Sequence, residues 1–118
     1  MYRISKEFHF SASHILYGLK EGHPCLRMHG HNYVVTFCFR SEQLNEVGFV
    51  VDYRDLDTIK VFIDEVLDHR HLNDVIPGVN PSAENIAKYL FDRFYVQFPT
   101  LYKVKVSETP KTKAIYEI

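Results

Sequence analysis

The sequence has no tryptophan, two cysteines, and only five glycines and five prolines in 118 residues. That excludes collagen-like and low-complexity chains. The two cysteines, Cys25 and Cys38, form no Cys-X-X-Cys pair and are too few for a disulfide framework. No apolar run reaches the ~18 residues of a membrane span. Met1 to Phe10 carries Arg3, Lys6 and Glu7 in an alternating pattern and has no apolar h-region, so it does not look like a signal peptide. The expectation is therefore a cytoplasmic protein with two free thiols and no membrane partner. An excess of one charge is missing as well. The formal net charge of −1 disfavours a strongly basic nucleic-acid binder, so no nucleic-acid partner is expected. There is no Walker loop, no dinucleotide glycine fingerprint and no Gly-X-Ser-X-Gly elbow.

What is present suits one globular domain over residues 1–118. Hydrophobic residues make up 46% and charged residues 25%, which excludes disorder. A compact monomer of 13.9 kDa would expose roughly 6,700 Å² and bury about two thirds of its unfolded surface. The unusual component is histidine, with seven: His9, His14, His23, His29, His31, His69 and His71. Imidazole is the commonest metal ligand and titrates near neutrality.

Residues 2–12 alternate, with Tyr2, Ile4, Phe8, Phe10 and Ala12 on one face, and His14 shares their parity. Residues 17–28 hold Gly18, Gly22 and Pro24 and read as a loop; 29–40 form a second strand, and 48–52 a short extended piece. From Asp52, the expected N-cap, apolar residues recur at helical spacing to about Asp68. A loop through Asn73, Pro77 and Gly78 leads to a second helix that starts near Asn80–Ser82 and ends before Pro99. Tyr102, Val104 and Val106 alternate with Lys103, Lys105 and Ser107 in a third strand, and Ala114 to Ile118 is the last. The order ββααββ predicts an α+β fold with a four-stranded antiparallel sheet and two helices on one face. Val34 and Cys38 make the second strand apolar on its other side too, which points to contact with another copy of the chain; tolerated exposure is the alternative.

His29-Gly30-His31 opens a strand, so both imidazoles point to one face. His14 at the end of the neighbouring strand is the natural third ligand of a zinc site that keeps a position open. The bland alternative is a solvated histidine pair beside a packed His14. Cys25, in a Gly/Pro loop just upstream, is a candidate nucleophile or base, or else a loop residue of no consequence. Cys38 reads as a small buried hydrophobe. Asp68 beside His69 has the makings of a proton relay, although His69, Arg70 and His71 equally complement a helix C-terminus. Glu108 has the inward parity of Val104 and Val106, where a carboxylate needs donors; a surface strand-end glutamate is the alternative.

Phe10-Ser-Ala-Ser-His14, Cys25-Leu-Arg-Met-His29-Gly-His31-Asn-Tyr33, Leu67-Asp-His69, Pro81-Ser-Ala-Glu84-Asn and Val104-Lys-Val-Ser-Glu108-Thr together resemble the 6-pyruvoyl-tetrahydropterin synthase family. The resemblance spans nearly the whole chain in order. Three residues between Cys25 and His29 look like the bacterial 6-carboxy-tetrahydropterin synthases of the queuosine pathway, whereas pyruvoyl-forming members typically have five. A folate-pathway variant carries a glutamate near this position; this chain has Cys25.

The resemblance implies the tunnelling fold, whose two-helix, four-stranded units join into trimeric barrels stacked as a homo-hexamer. It implies a Zn2+ cofactor on His14, His29 and His31, with Cys25, Asp68 and His69 catalytic. Glu108 would grip a pterin substrate, with Ser82 a hydroxyl near it, in sites lying between subunits. Many relatives carry tyrosine or another residue at His71, which receives no role. The expected activity is a lyase acting on 7,8-dihydroneopterin triphosphate to give 6-carboxy-5,6,7,8-tetrahydropterin, triphosphate and acetaldehyde. The alternatives are a 6-pyruvoyl-tetrahydropterin synthase and a non-catalytic zinc- or pterin-binding oligomer. Arg27, Arg70, Lys111 and Lys113 are unranked candidates for the triphosphate.

Overall fold

The computed structural model describes residues 1–118. Strands β1 (Tyr2–His14), β2 (His29–Ser41), β3 (Leu101–Ser107) and β4 (Ala114–Glu117) form one antiparallel sheet in the order β1-β2-β3-β4. The long β1–β2 pair runs in unbroken register from Tyr2 opposite Ser41 to His14 opposite His29. Period-2 patterning explains both strands. Phe8, Phe10, Ala12 and His14 are buried on β1, and Tyr33, Val35, Phe37 and Phe39 on β2. At Gly30 a Cβ would stand 3.2 Å from the Ala12 carbonyl oxygen, so the close approach at this end favours glycine.

The first helical stretch is composite. Asp52 caps a 3-10 turn, Tyr53–Leu56, by accepting the Arg54 N–H. Helix α1 (Asp57–Phe62) follows, and a π turn over Ile63–Leu67 closes the stretch. Helix α2 (Leu72–Val75) is a single turn within the segment expected to be loop, stabilised by the burial of Leu72. Helix α3 (Ala83–Tyr95) starts at the Ser82 cap and buries Ile86, Ala87, Leu90, Phe91 and Phe94 against the sheet. The 48–52 segment forms no strand; it leads directly into the Asp52 cap.

One expectation about the sheet is corrected. Tyr102 does not share the face of Val104 and Val106. A bulge pairs Cys38 with Lys103 but Phe39 with Leu101, so Leu101 enters the core. The Tyr102 ring instead lies beneath Arg40, 4.7 Å away, and Arg3, 5.9 Å away. On the side of β2 opposite the core, Val34 is half-buried. Cys38 is already only 5% exposed in the single chain, with Lys103 as its cross-strand partner. Burial pushes its thiol pKa up. The sheet margins are β1 and β4, which have no outer neighbour strand, although residues 68–71 cover the Ser11–Ser13 end of β1.

Candidate metal centre and active site

The buried face of the β1–β2 pair ends in imidazoles. Opposite parity partners place His14 beside His29, and the two-residue step carries His31 to the same side. One ligand nitrogen from each lies within 4.8 Å of the others. His14 is the single buried polar residue of the chain, at 0% exposure. Burial holds its pKa below the ordinary imidazole value, so it is neutral at pH 7.

Hydrogen bonds assign the tautomers. A carbonyl can only accept, so His14 Nδ1 donates to the Pro81 oxygen at 2.7 Å and His29 Nδ1 donates to the Arg27 oxygen at 2.8 Å. In the neutral rings both Nε2 atoms are then lone pairs, and they face each other at 2.9 Å. His31 Nε2 is buried without a hydrogen-bond partner. The nearest anion is Glu108 Oε2 at 3.3 Å, outside hydrogen-bond geometry. Two opposed acceptors beside a buried imidazole nitrogen that has no partner are unfavourable unless a cation sits among them. The donor set fits zinc, which takes imidazole nitrogen and is oriented through backbone acceptors behind the ligands. Tyr33 closes the back of the cluster, with its hydroxyl 3.3 Å from His14 Nδ1.

Asp68 and His69 are placed by the end of the helical stretch. The Asp68 N–H reaches back to the Ile63 carbonyl at 2.8 Å, a widened last turn, and His69 then adopts a left-handed φ of 59°. Asp68 is thereby brought to β1. Its Oδ1 accepts the Ser11 N–H at 2.9 Å and its Oδ2 accepts from His69 Nδ1 at 2.8 Å. Those two bonds hold its carboxyl below the usual range, the Ser11 amide first. The His69 ring projects into solvent, 83% exposed, with Nε2 free for a partner.

Cys25 lies in the loop between β1 and β2, on a 3-10 turn over Pro24–Leu26, and its carbonyl accepts the Leu16 N–H at 3.0 Å. No hydrogen bond within the chain joins Cys25 to Asp68 or His69. Ser82 is used locally, its hydroxyl accepting the Asn85 N–H at 3.2 Å as the α3 cap. Glu108 is one residue beyond β3 and lines a cleft of about 310 Å³ with Ala83, Glu84, Val106 and Lys113. A second cleft, about 470 Å³, is lined by Gly30, His31, Asn32, His69, Arg70 and His71. His71 has a partner there, the Ser13 hydroxyl at 2.9 Å. Sequence reasoning missed the carbonyl acceptors of Pro81 and Arg27, the Ser11 amide on Asp68, and Tyr33 behind His14. Only Tyr33 left a signal, its shared parity with His29 and His31.

The profile of the 6-pyruvoyl tetrahydropterin synthase family matches residues 3–118. The human 6-pyruvoyl tetrahydrobiopterin synthase is 34% identical over 98% of this chain and 90% of its own length. The 6-carboxy-5,6,7,8-tetrahydropterin synthase of Synechocystis is also 34% identical, over 98% and 93%. The solved structure of the Caenorhabditis elegans 6-pyruvoyl tetrahydropterin synthase superposes with a TM-score of 0.87 at 28% identity, covering 99% of this chain and 95% of that one. The fold is the tunnelling fold of those structures, and the chain belongs to the 6-pyruvoyl tetrahydropterin synthase family.

Proposed function

We propose that this chain is a zinc-dependent 6-carboxy-5,6,7,8-tetrahydropterin synthase serving 7-deazapurine (queuosine) biosynthesis in the cytoplasm. Its substrate would be 7,8-dihydroneopterin triphosphate, and its products 6-carboxytetrahydropterin, triphosphate and acetaldehyde. The observation that carries a metal-assisted pterin reaction is the convergence of His14, His29 and His31, one ring nitrogen of each within 4.8 Å of the others, beside Glu108. The Cys25-X3-His29 spacing favours the 6-carboxy product. Equal identity to a 6-pyruvoyl-forming human relative keeps that product as the second reading.

Zinc held by His14, His29 and His31 would supply Lewis acidity to side-chain oxygens of the substrate and so acidify the neighbouring C–H. Glu108 accepts two hydrogen bonds from the 2-amino and N3–H edge of the pterin, a charge-assisted clamp that fixes the ring in its cleft. Cys25, as thiolate, takes the carbon-bound proton. His69 moves a proton at the substrate oxygen through Nε2, with Asp68 holding Nδ1–H and the Ser11 amide keeping Asp68 ionised. Because His69 faces outward and has no bond to Cys25 in one chain, the catalytic set is completed by a neighbouring subunit. Pairing of β4 with the part of the β1 margin before Ser11 would bring subunits together, in keeping with a hexamer. The chain's elongation supports that reading: it exposes 7426 Å² and has a radius of gyration of 15.4 Å, against about 13.5 Å for a compact domain of this length.

Purified protein incubated with dihydroneopterin triphosphate and followed by mass spectrometry tests the assignment. Acetaldehyde with 6-carboxytetrahydropterin is expected. A 6-pyruvoyl product would establish the second reading, and an unturned but bound pterin would make the protein a binder.

A further inference from the structure

The three residues after the metal ligand His14 belong to no strand, yet their backbone is paired as if they did. Asn73 holds Ile15 at both ends, accepting the Ile15 N–H at 2.9 Å and donating Nδ2–H to the Ile15 carbonyl at 2.8 Å. Asn80 does the same to Tyr17, at 2.9 Å and 2.7 Å. Leu16, between them, points its N–H the other way, to the Cys25 carbonyl at 3.0 Å. Two side-chain amides therefore replace a neighbouring strand on one margin of 15–17, and the Cys25 turn takes the opposite margin.

Each amide is itself anchored close to the site. Asn73 sits in α2, shortly after Asp68 and His69. Asn80 precedes Pro81, whose carbonyl orients His14, and the Asn80 carbonyl accepts the Asn85 side-chain N–H at 2.9 Å. We propose that Asn73 and Asn80 are positioning residues for the reaction: they hold Ile15–Tyr17 straight, and through the Leu16–Cys25 bond they set where the Cys25 thiol stands relative to the metal cluster. The inference rests on the reading of Cys25 as the base. An asparagine suits the task because its amide offers one acceptor and two donors in the spacing of a peptide group. Aspartate at either position would keep the acceptor and lose the donor.

The test uses Asn73→Ala, Asn80→Ala and the milder Asn80→Asp in the zinc-loaded protein. Zinc content should stay stoichiometric and KM should change little. Turnover should fall about tenfold to a hundredfold, the scale of an ångström of misplacement, with Asn80→Asp intermediate. Adding Asn80→Ala to Cys25→Ala should cost nothing further, because both act through one thiol. A readout free of turnover is the alkylation rate of Cys25 by iodoacetamide with Cys38→Ala removing the other thiol; each clamp variant should shift it severalfold. Unchanged alkylation overturns the clamp, as does a turnover loss that multiplies with that of Cys25→Ala. Loss of zinc from all three variants overturns it too, because the amides would then support the metal site. Wild-type turnover in Cys25→Ala alone would overturn the base assignment instead, while the alkylation experiment still reads the clamp.

Discussion

Replacing His29 with alanine isolates the metal's contribution to stability. The ring is only partly buried at the start of β2, so its loss opens little core, in contrast to His14. Zinc bound to four-ligand fingers is worth about 10–16 kcal/mol, which apportions to about 3 kcal/mol per protein donor. Loss of one of three donors should therefore weaken zinc binding about a hundredfold. In excess zinc, a hundredfold change in Kd removes about 2.7 kcal/mol of linkage stabilisation. A chain of 118 residues has an unfolding entropy of about 0.25 kcal/mol/K, so Tm should drop by about 11 °C. With a strong chelator the gap should close or reverse, because without metal the wild-type protein keeps two lone pairs opposed at 2.9 Å and His29→Ala does not. Differential scanning fluorimetry with zinc and with chelator, alongside metal analysis after dialysis, checks both halves. Full zinc in the variant, or a Tm gap that ignores chelator, would refute the reasoning.

Static light scattering should give a mass several times 13.9 kDa, six copies if the free margins close into stacked barrels; a monomer at micromolar concentration refutes it. Glu108→Gln should weaken pterin binding about tenfold to a hundredfold, the worth of a charge-assisted bond, and calorimetry with an unreactive pterin will show whether affinity survives. For the metal-free protein, His14 has a folded pKa below its unfolded value of about 6.5, so the unfolded state takes up its proton first. Its contribution to stability is complete above that value and is lost as pH falls below it; chelated His14→Gln should lack this part of the decline. Asp68 behaves as a depressed carboxylate, its contribution held above the ordinary range near about 3.9 and lost as pH falls below it, so Asp68→Asn should flatten the acid limb of the Tm profile.

The sequence by itself determined the elements that bury one face. Alternation in Tyr2–His14 and His29–Ser41 set the strands, and their parity alone put His14, His29 and His31 on one side. Helical spacing set α3, and the structure alone made Ser82 its cap. These were legible because a side-chain period reports directly which face is desolvated. What parity could not report was the direction of backbone groups arriving from distant segments. The Pro81 and Arg27 carbonyls fix the imidazole tautomers, and the Ser11 amide fixes Asp68. The π turn that swings Asp68 onto β1, the bulge that turns Tyr102 outward, and the short α2 helix all rearrange single residues without altering the hydrophobic pattern. Asn73 and Asn80 read as punctuation in a polar stretch, since an amide that pairs with its own neighbours and one that substitutes for a strand have the same letter. Only the folded chain decides between them, because the bond partners lie some sixty residues apart (Ile15 with Asn73, Tyr17 with Asn80, separations of 58 and 63) and meet only when the sheet and helices have packed.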